Sequence, residues 1–208
     1  MKIRCSSLGK IMTNPRKKGE VLSQTAKSYI RDIAKQDFFG YVSELDNKYL
    51  DKGNQCEQDS IDLFNAVFFT DYKKNTERIS NDFLTGECDI DTGESIIDIK
   101  TSWSLETFPA TEDEAQDKNY EWQVRGYMML YNRMNASVSF CMVSTPNELL
   151  KDWDNHSVHF VSHIEPEHRV TVVNYERDFE LEKQIEEKCT EAIRYYTEYI
   201  NELNKKNK

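Results

Sequence analysis

The sequence predicts a mixed α/β or α+β protein in which helices flank a central mixed β-sheet and a long helix ends the chain. Apolar residues recur at helical spacing in four segments, and short β-branched runs lie between them. Neither an internal repeat nor a low-complexity linker interrupts the 208 residues. We therefore expect a single domain over residues 1–208, with a core that carries the motifs at about 48–144.

The first half of the chain predicts two helices followed by strands. After a short opening segment (Ser6–Met12) and a basic loop (Asn14–Gly19), Val21–Phe38 carries apolar residues at helical spacing. A second helix is predicted from about Lys48 to Val67. Turn residues and short β-branched runs then place the first strands within Tyr72–Thr101.

The second half predicts one helix, further strands and a closing helix. The third helix spans about Asn119–Asn132, and Val138–Ser144 is a compact apolar strand. His159–Ser162 and Val170–Tyr175 are candidates for further strands. The final helix, about Phe179–Asn204, carries one apolar stripe along its length, which indicates packing against the rest of the protein.

Charge is distributed unevenly along the chain. The net charge is −10, but the first fifty residues carry about +5 and the remainder about −15. A nucleic-acid partner requires a local basic surface and not a basic protein, so the acidic total does not exclude one. The basic run Arg16–Lys18 is a candidate for such a surface, although a solvated loop explains it equally well.

Cysteine and histidine patterns argue against two kinds of site. The five cysteines are scattered and contain no C-x-x-C pair, so we expect reduced thiols in a cytosolic protein and not a disulfide framework. The four histidines fit no zinc spacing. Apolar runs stay below the roughly 18–20 residues of a membrane helix, and no signal-peptide segment is recognised, so we expect a cytoplasmic location.

One short segment carries carboxylates and a lysine at strand spacing. Asp98 and Lys100 are two residues apart, so a strand at Ile96–Thr101 places both side chains on one face. A turn at Asp91–Glu94 lets the preceding strand run back alongside, which brings Asp89 close to Asp98. Two carboxylates and a lysine on rigid strands can bind a hard divalent cation and hold a nucleophilic water for phosphodiester cleavage.

Two predicted helices supply further polar groups. Glu57 lies on the second helix, just before the strand region. Gln123 and Tyr127, four residues apart, share one face of the helix that follows the motif strand. Taken singly, each of these residues is most simply an ordinary surface residue. In this order and at this spacing, they indicate one site.

Together these residues resemble the motifs of the PD-(D/E)XK nuclease superfamily, and within it the lambda-exonuclease-like (YqaJ-like) branch of viral recombination exonucleases related to the RecB nuclease domain. The resemblance covers about Ser6 to Ser144 and implies a restriction-endonuclease-like core. The matches are Gly53 and Glu57 for Gly-x-x-x-Glu, Gly86 and Asp89 for Gly-x-x-Asp, Asp98 and Lys100 for (Glu/Asp)-x-Lys, and Gln123 and Tyr127 for Gln-x-x-x-Tyr.

The resemblance implies a metal-dependent mechanism. Mg²⁺ or Mn²⁺ is expected, because the implied ligands are hard oxygen donors: Glu57, Asp89, Asp98 and the carbonyl oxygen of Ile99. Lys100 would orient or help deprotonate the attacking water and offset phosphate charge. Gln123 and Tyr127 would orient the metal site or the DNA backbone.

Some roles stay open at this stage. Asp89 is followed by Ile-Asp91 where the family commonly has Gly, so Asp91 competes for the role of metal ligand, although Asp89 is preferred. The motif carboxylate is Asp98 where this branch often has Glu, and its shorter side chain could alter the metal geometry. Candidate contacts to DNA or a 5′-phosphate offer a hydroxyl or a positive charge: Ser7, Lys10, Arg16, Lys17 and Arg125.

The function that the resemblance implies is an exonuclease that degrades one strand of linear duplex DNA in the 5′-to-3′ direction and exposes single strands for phage-type recombination. It also implies a homo-oligomer, by family a trimer around DNA, with a single-strand annealing protein as candidate partner and the host cytoplasm as location. An endonuclease of restriction or repair type, and a DNA-binding module with weak turnover, are the alternatives.

Overall fold

A computed structural model describes residues 1–42 and 47–206 of the chain. The α-helices in these residues are α1 (Leu8–Ile11), α2 (Gln24–Phe39), α3 (Lys48–Gln55), α4 (Glu57–Phe68), α5 (Lys118–Tyr131) and α6 (Phe179–Lys206). The strands are β1 (Ile3–Arg4), β2 (Ile79–Ser80), β3 (Leu84–Gly86), β4 (Ile90–Asp91), β5 (Ser95–Thr101), β6 (Asn135–Cys141) and β7 (Val170–Glu176).

A four-stranded mixed sheet lies at the centre of the fold, with the strand order β4-β5-β6-β7. Strand β5 is antiparallel to β4 and parallel to β6, and β7 is antiparallel to β6. A smaller sheet, with the order β1-β3-β2, lies beside it and was not predicted as a separate sheet. The predicted fold class, with a mixed sheet, flanking helices and a long C-terminal helix, is confirmed.

The alternation of side chains along β5 puts a helix on each face of the central sheet. Ile96 belongs to a buried cluster with Val124 of α5. Ile97 and Ile99 point the other way, into a cluster that contains Ile61 of α4. The sheet is therefore enclosed between α5 and α4, and its two central strands, β5 and β6, are largely buried.

The final helix packs its apolar stripe against the start of the chain. Ile185 and Cys189 of α6 are fully buried together with Ile30 of α2 and Leu8 of α1. Helix α2 begins at Gln24, three residues later than predicted, because Ser23 accepts a hydrogen bond from the Ala26 N–H and caps the helix there.

The second predicted helix is wrong in one respect, because the structure divides it into α3 and α4 at Cys56. Cys56 has φ −104° and ψ 11°, outside the helical region, and is buried. The break ends α3 at Gln55, so that Glu57 is the first residue of α4. The cause is tertiary, since buried Lys52 ties α3 to carbonyl groups that are distant in sequence.

Two predicted strands are corrected. Strand β6 covers Asn135–Cys141 and not Val138–Ser144, because its ladder ends where Cys141 pairs with the last residue of β5, Thr101. The predicted strand at His159–Ser162 is wrong. His159 instead follows a 3₁₀ turn at 156–158, and its buried ring makes a 3.0 Å hydrogen bond with Thr145 Oγ1. The predictions for α5, β7 and α6 are confirmed within two residues at each end.

All five cysteines are buried free thiols. Across the residues that the structure covers, no helix combines the length and the apolar character needed to cross a membrane.

Candidate active site

Strand β5 and its tight connection to β4 build the acidic centre of the site. Gly93 adopts φ +88° in this turn, and the Asp91 side chain accepts a hydrogen bond from its N–H at 3.0 Å. The resulting antiparallel pairing sets Ile90 opposite Ile97. The chain just before β4 therefore runs beside the middle of β5, where the motif residues lie.

Asp98 and Lys100 form an ion pair on one face of β5, as predicted. Asp98 is 1% exposed, and Lys100 Nζ lies 2.7 Å from its Oδ2. Asp89 reaches the same strand, because its Oδ2 accepts a hydrogen bond from the Ile99 N–H at 2.6 Å. The predicted approach of Asp89 to β5 is therefore observed.

The close carboxylates change the ionisation of their neighbours. Burial, followed by the nearby negative charge of Asp98, raises the pKa of Asp89 above the ordinary carboxyl range. Burial by itself lowers the pKa of Lys100, but the charges of Asp98 and Asp89 together outweigh burial, so that its pKa is raised. Lys100 is therefore a cation at neutral pH in this arrangement.

Gln123 of α5 connects the motif residues. Its Nε2 donates to Asp98 Oδ1 at 3.0 Å and lies 3.2 Å from the Tyr127 hydroxyl, which accepts. Its Oε1 accepts from Lys100 Nζ at 3.4 Å. Gln123 and Tyr127 are both buried, so the predicted helix pair lies behind the acidic centre and braces it.

Glu57 is brought to the same place from the other side of the sheet. It opens α4, and its carboxylate forms a hydrogen-bonded ion pair with Lys74 from the loop after that helix. Within residues 1–42 and 47–206, no three His, Cys, Asp or Glu side chains are arranged to hold a metal ion together. The predicted trio of carboxylates is therefore not assembled as one cluster in the described residues, and Glu57 is instead paired with Lys74.

One cavity of about 600 Å³ unites these groups. Its lining includes the polar residues Glu57, Asp89, Asp98, Lys100 and Gln123, together with Ile99. Its apolar wall is aromatic and is formed by Tyr49, Trp103, Tyr120 and Phe140. The cavity therefore combines carboxylate oxygens and a cation with aromatic surface, and Lys100 Nζ lies 4.7 Å from the centre of the Tyr120 ring.

The donor set in the cavity fits a hard divalent cation. Asp98 Oδ2 is buried, accepts no hydrogen bond and has only the ion pair with Lys100. A cation between Asp89 and Asp98 would offset the repulsion that raises the pKa of Asp89. Glu57 is paired with Lys74 through Oε2, so a cation at this site would compete with Lys74 for that carboxylate.

Asp91, the competing candidate, lies elsewhere. Both of its carboxylate oxygens accept from Arg133, at 2.7 and 2.8 Å, which is a bidentate ion pair. It does not contribute to the lining of the cavity. The geometry favours Asp89 over Asp91 as the carboxylate of the site.

The candidate DNA contacts have different surroundings. Ser7 is 6% exposed and does not line the cavity, whereas its neighbour Ser6 does. Arg125 is also directed away from the cavity, because it pairs with Glu121 at 2.9 Å and donates to the Glu176 carbonyl at 3.1 Å. The exposed residue Lys10 lies with its Nζ 4.9 Å from the centre of the Tyr29 ring. Arg16 and Lys17 line a separate cavity of about 410 Å³ beside the start of α2.

Sequence reasoning missed two lysines that surround the site. Lys74 stands in an ordinary-looking Asp-Tyr-Lys-Lys run, and no pattern singles it out. Lys52 is 0% exposed and donates to the carbonyl groups of Ser102, Trp103 and Val143 at 2.7, 3.0 and 2.8 Å. Its position just before the motif residue Gly53 is the only sequence signal for it.

Solved structures of known proteins resemble this fold. The crystal structure of a phage-related exonuclease from Haemophilus somnus 129PT matches with a TM-score of 0.92 and 39% sequence identity, over 98% of this chain and 96% of that chain. The alkaline exonuclease LHK-Exo from Laribacter hongkongensis matches with a TM-score of 0.72 and 14% identity, over 99% and 93%. Its complex with dAMP matches with a TM-score of 0.71 and 16% identity, again over 99% and 93%.

The two LHK-Exo structures share only 14% and 16% of their residues with this chain, so they show similarity of fold alone. Neither a protein-family profile nor a curated protein matches the chain. The Haemophilus protein, in contrast, shares more than a third of its residues with this chain over almost the whole of both. The chain belongs to the family of phage-related exonucleases that this protein represents.

Proposed function

We propose that the protein is a metal-dependent DNA exonuclease of the PD-(D/E)XK type, which degrades one strand of linear duplex DNA in the 5′-to-3′ direction. The observation that carries the proposal is the convergence of Asp89, Asp98 and Lys100 on one cavity, braced by Gln123. Membership of the phage-related exonuclease family supports the reaction class.

The metal would be Mg²⁺ or Mn²⁺, held by Asp89, Asp98 and the carbonyl oxygen of Ile99, with Glu57 joining after it leaves Lys74. When bound, the metal supplies a water of lowered pKa and offsets the charge that develops on the scissile phosphate. Only oxygen donors are involved, which agrees with a hard cation and not with zinc.

The residues of the chain have separate tasks in this proposal. Lys100, kept positive by its two carboxylate neighbours, would orient the attacking water and contact the phosphate. Gln123 fixes the Asp98 carboxylate through Oδ1 and leaves Oδ2 free of hydrogen bonds. Tyr127 would act through Gln123 by accepting its second amide hydrogen.

The surroundings of the cavity fit a nucleic acid. The aromatic wall can take the face of an unpaired nucleotide base, since stacking on aromatic side chains needs no particular base sequence. Ser6 at the cavity, with Lys10, Arg16 and Lys17 farther along the same segment, would contact the backbone or a 5′-phosphate.

We further propose that the protein forms a homo-oligomer, which by family resemblance is a trimer. It would act in the host cytoplasm, where it supplies single strands to an annealing protein during recombination.

The test uses linear duplex DNA labelled at either the 5′ or the 3′ end, with and without a 5′-phosphate, in the presence of Mg²⁺ or EDTA. We expect Mg²⁺-dependent release of nucleotides from the 5′ end and an intact covalently closed plasmid. Cleavage of the closed plasmid would instead indicate an endonuclease.

The variant Lys100→Ala tests whether digestion depends on this site. If wild type and Lys100→Ala digest DNA equally, the site is misassigned. If wild type binds the duplex but releases no nucleotide with either metal, the protein is a DNA-binding module.

A further inference from the structure

Lys74 is a cation that the nuclease chemistry described above does not use, yet it is paired with a proposed metal ligand. Its Nζ donates to Glu57 Oε2, and the pair is only partly open to solvent, with the two side chains 43% and 26% exposed. The contact with Glu57 raises the pKa of Lys74, and the negative charges of Asp89 and Glu87 contribute in the same direction. Lys74 therefore lies in the field of the acidic site although it does not line the cavity.

The loop that carries Lys74 is anchored on both sides of it. Before Lys74, the backbone of Tyr72 is held by Asn65 of α4, whose Oδ1 accepts from the Tyr72 N–H at 3.0 Å and whose Nδ2 donates to the Tyr72 carbonyl at 2.9 Å. After it, the Asn75 N–H donates to the Asp89 carbonyl at 2.7 Å. The backbone at Lys74 is therefore tied to both α4 and Asp89, and only its flexible side chain is free to exchange partners.

Two of the three candidate metal-binding carboxylates are thus each paired with a lysine in this structure. Lys100 pairs with Asp98, and Lys74 pairs with Glu57. The two are not equivalent, since Lys100 has a second contact with Gln123 whereas Lys74 has Glu57 as its hydrogen-bonding partner. A cation that enters the cavity competes with Lys74 for the Glu57 carboxylate.

We propose that Lys74 is a positioning residue that holds Glu57 in the metal-free protein, yields it to the metal ion, and then binds a phosphate group of the DNA. The inference rests on the proposed function, because it takes Glu57 as a metal ligand. It predicts that the contribution of Lys74 to DNA binding depends on the metal. Without metal the ammonium is engaged by Glu57, and with metal it is released beside the site that receives the phosphate backbone.

The experiment compares Lys74→Met with Lys73→Met, which removes the same charge from the neighbouring residue. Lys73 pairs with Asp71 in an exposed contact, so it is a matched control. Calorimetric titration with Ca²⁺ in the absence of DNA measures metal binding without turnover. We expect Lys74→Met to bind Ca²⁺ about fivefold more tightly than Lys73→Met, because the competitor for Glu57 is gone. In a Glu57→Gln background the same substitution should have no further effect.

DNA binding is then measured by fluorescence anisotropy with a 5′-phosphorylated duplex, in Ca²⁺ and in EDTA. We expect Lys74→Met to bind about tenfold more weakly than Lys73→Met in Ca²⁺, and equally in EDTA. Equal Ca²⁺ affinities of the two variants, or an equal loss of DNA affinity with and without Ca²⁺, would overturn the inference. A wild type that binds no Ca²⁺, or that binds it as well after Glu57→Gln, would instead refute the metal site on which the inference rests.

Discussion

Gln123 Nε2 donates a hydrogen bond to Asp98 Oδ1 at 3.0 Å, and this contact joins helix α5 to strand β5 at the centre of the site. The bond uses one carboxylate oxygen and leaves the other, Oδ2, to Lys100. Because the side-chain amide of Gln123 is neutral, it orients the Asp98 carboxylate without adding charge to the site. The orientation of Asp98 therefore depends on a helix residue 25 positions away in sequence.

The first prediction concerns this contact. Gln123→Leu should lower the rate of DNA digestion by about 10- to 100-fold, because Asp98 loses the donor that orients it. Initial rates on linear duplex at saturating Mg²⁺ measure the effect. Tyr127→Phe is the control, since it removes only a hydroxyl that accepts from Gln123, and its rate should stay within about threefold of wild type. Wild-type rates in Gln123→Leu would contradict the role given to Gln123.

The second prediction separates the two candidate carboxylates. Asp89→Asn should abolish binding of Mn²⁺ in calorimetry, because Asp89 faces β5 and the cavity. Asp91→Asn should keep Mn²⁺ binding and lower the unfolding free energy by about 1 kcal/mol, since it weakens a partly exposed bidentate pair with Arg133. The reverse pattern would make Asp91 the metal ligand.

The third prediction follows from the raised pKa of Asp89. The folded protein holds a proton on Asp89 at pH values where the unfolded chain has released it, so the stability gained from this group is lost as the pH rises above about 4 toward neutrality. A metal ion binds only the deprotonated form, so its affinity should fall as the pH is lowered from 8 to 6. Titrations in two buffers of different ionisation enthalpy should show proton release on metal binding, and this release should shrink in Asp98→Asn. Metal affinity that does not change with pH would contradict the prediction.

The fourth prediction compares two motif glycines. A Cβ at Gly86 would lie 2.7 Å from Tyr127 Cε1 and 2.9 Å from Cys5 Sγ, whereas a Cβ at Gly53 meets nothing within 4 Å. Gly86→Ala should therefore cost about 1–3 kcal/mol of unfolding free energy and displace Tyr127. Gly53→Ala should raise the unfolding free energy by about 0.5–1 kcal/mol, since it lies inside α3. Urea denaturation measures both, and equal effects would contradict the packing argument.

Local rules were sufficient for the acidic centre of the site. The strand period of two placed Asp98 beside Lys100, the turn before β5 brought Asp89 alongside, and the helical period paired Gln123 with Tyr127. Each of these relationships spans few residues or follows from one turn. The fold class was predictable for the same reason, because the periodicity of each segment is a local property.

Contacts between distant segments were not predictable. The break at Cys56 depends on where Lys52 finds its acceptors, which lie 50 to 91 residues away in sequence. His159 lies in no strand because its ring is hydrogen-bonded to Thr145 beneath the cavity wall. The pair of Lys74 with Glu57 likewise depends on how a loop returns to the start of α4. None of these partners is marked by spacing or composition.

Lys52 gives the last prediction, since it is a fully buried cation without a carboxylate partner among its hydrogen bonds. Three carbonyl groups accept from its ammonium, and burial lowers its pKa to about 8. Between pH 8 and the ordinary lysine value, the unfolded chain binds more protons than the folded protein. The contribution of Lys52 to stability should therefore increase as the pH rises through this range.

The variant Lys52→Met should be less stable than wild type by about 1–3 kcal/mol at pH 7.5, because the Ser102 and Val143 carbonyl groups lose a donor. The difference should widen by about 2–3 kcal/mol at pH 10, where wild type no longer buries a full charge. Urea denaturation at the two pH values measures it. Lys48→Met, on the exposed side of the same helix, removes a cation that lies 4.4 Å from the centre of the Trp103 ring, and should cost about 0.5–1 kcal/mol equally at both pH values. If the gap between wild type and Lys52→Met is the same at both pH values, Lys52 does not ionise differently in the folded and unfolded states.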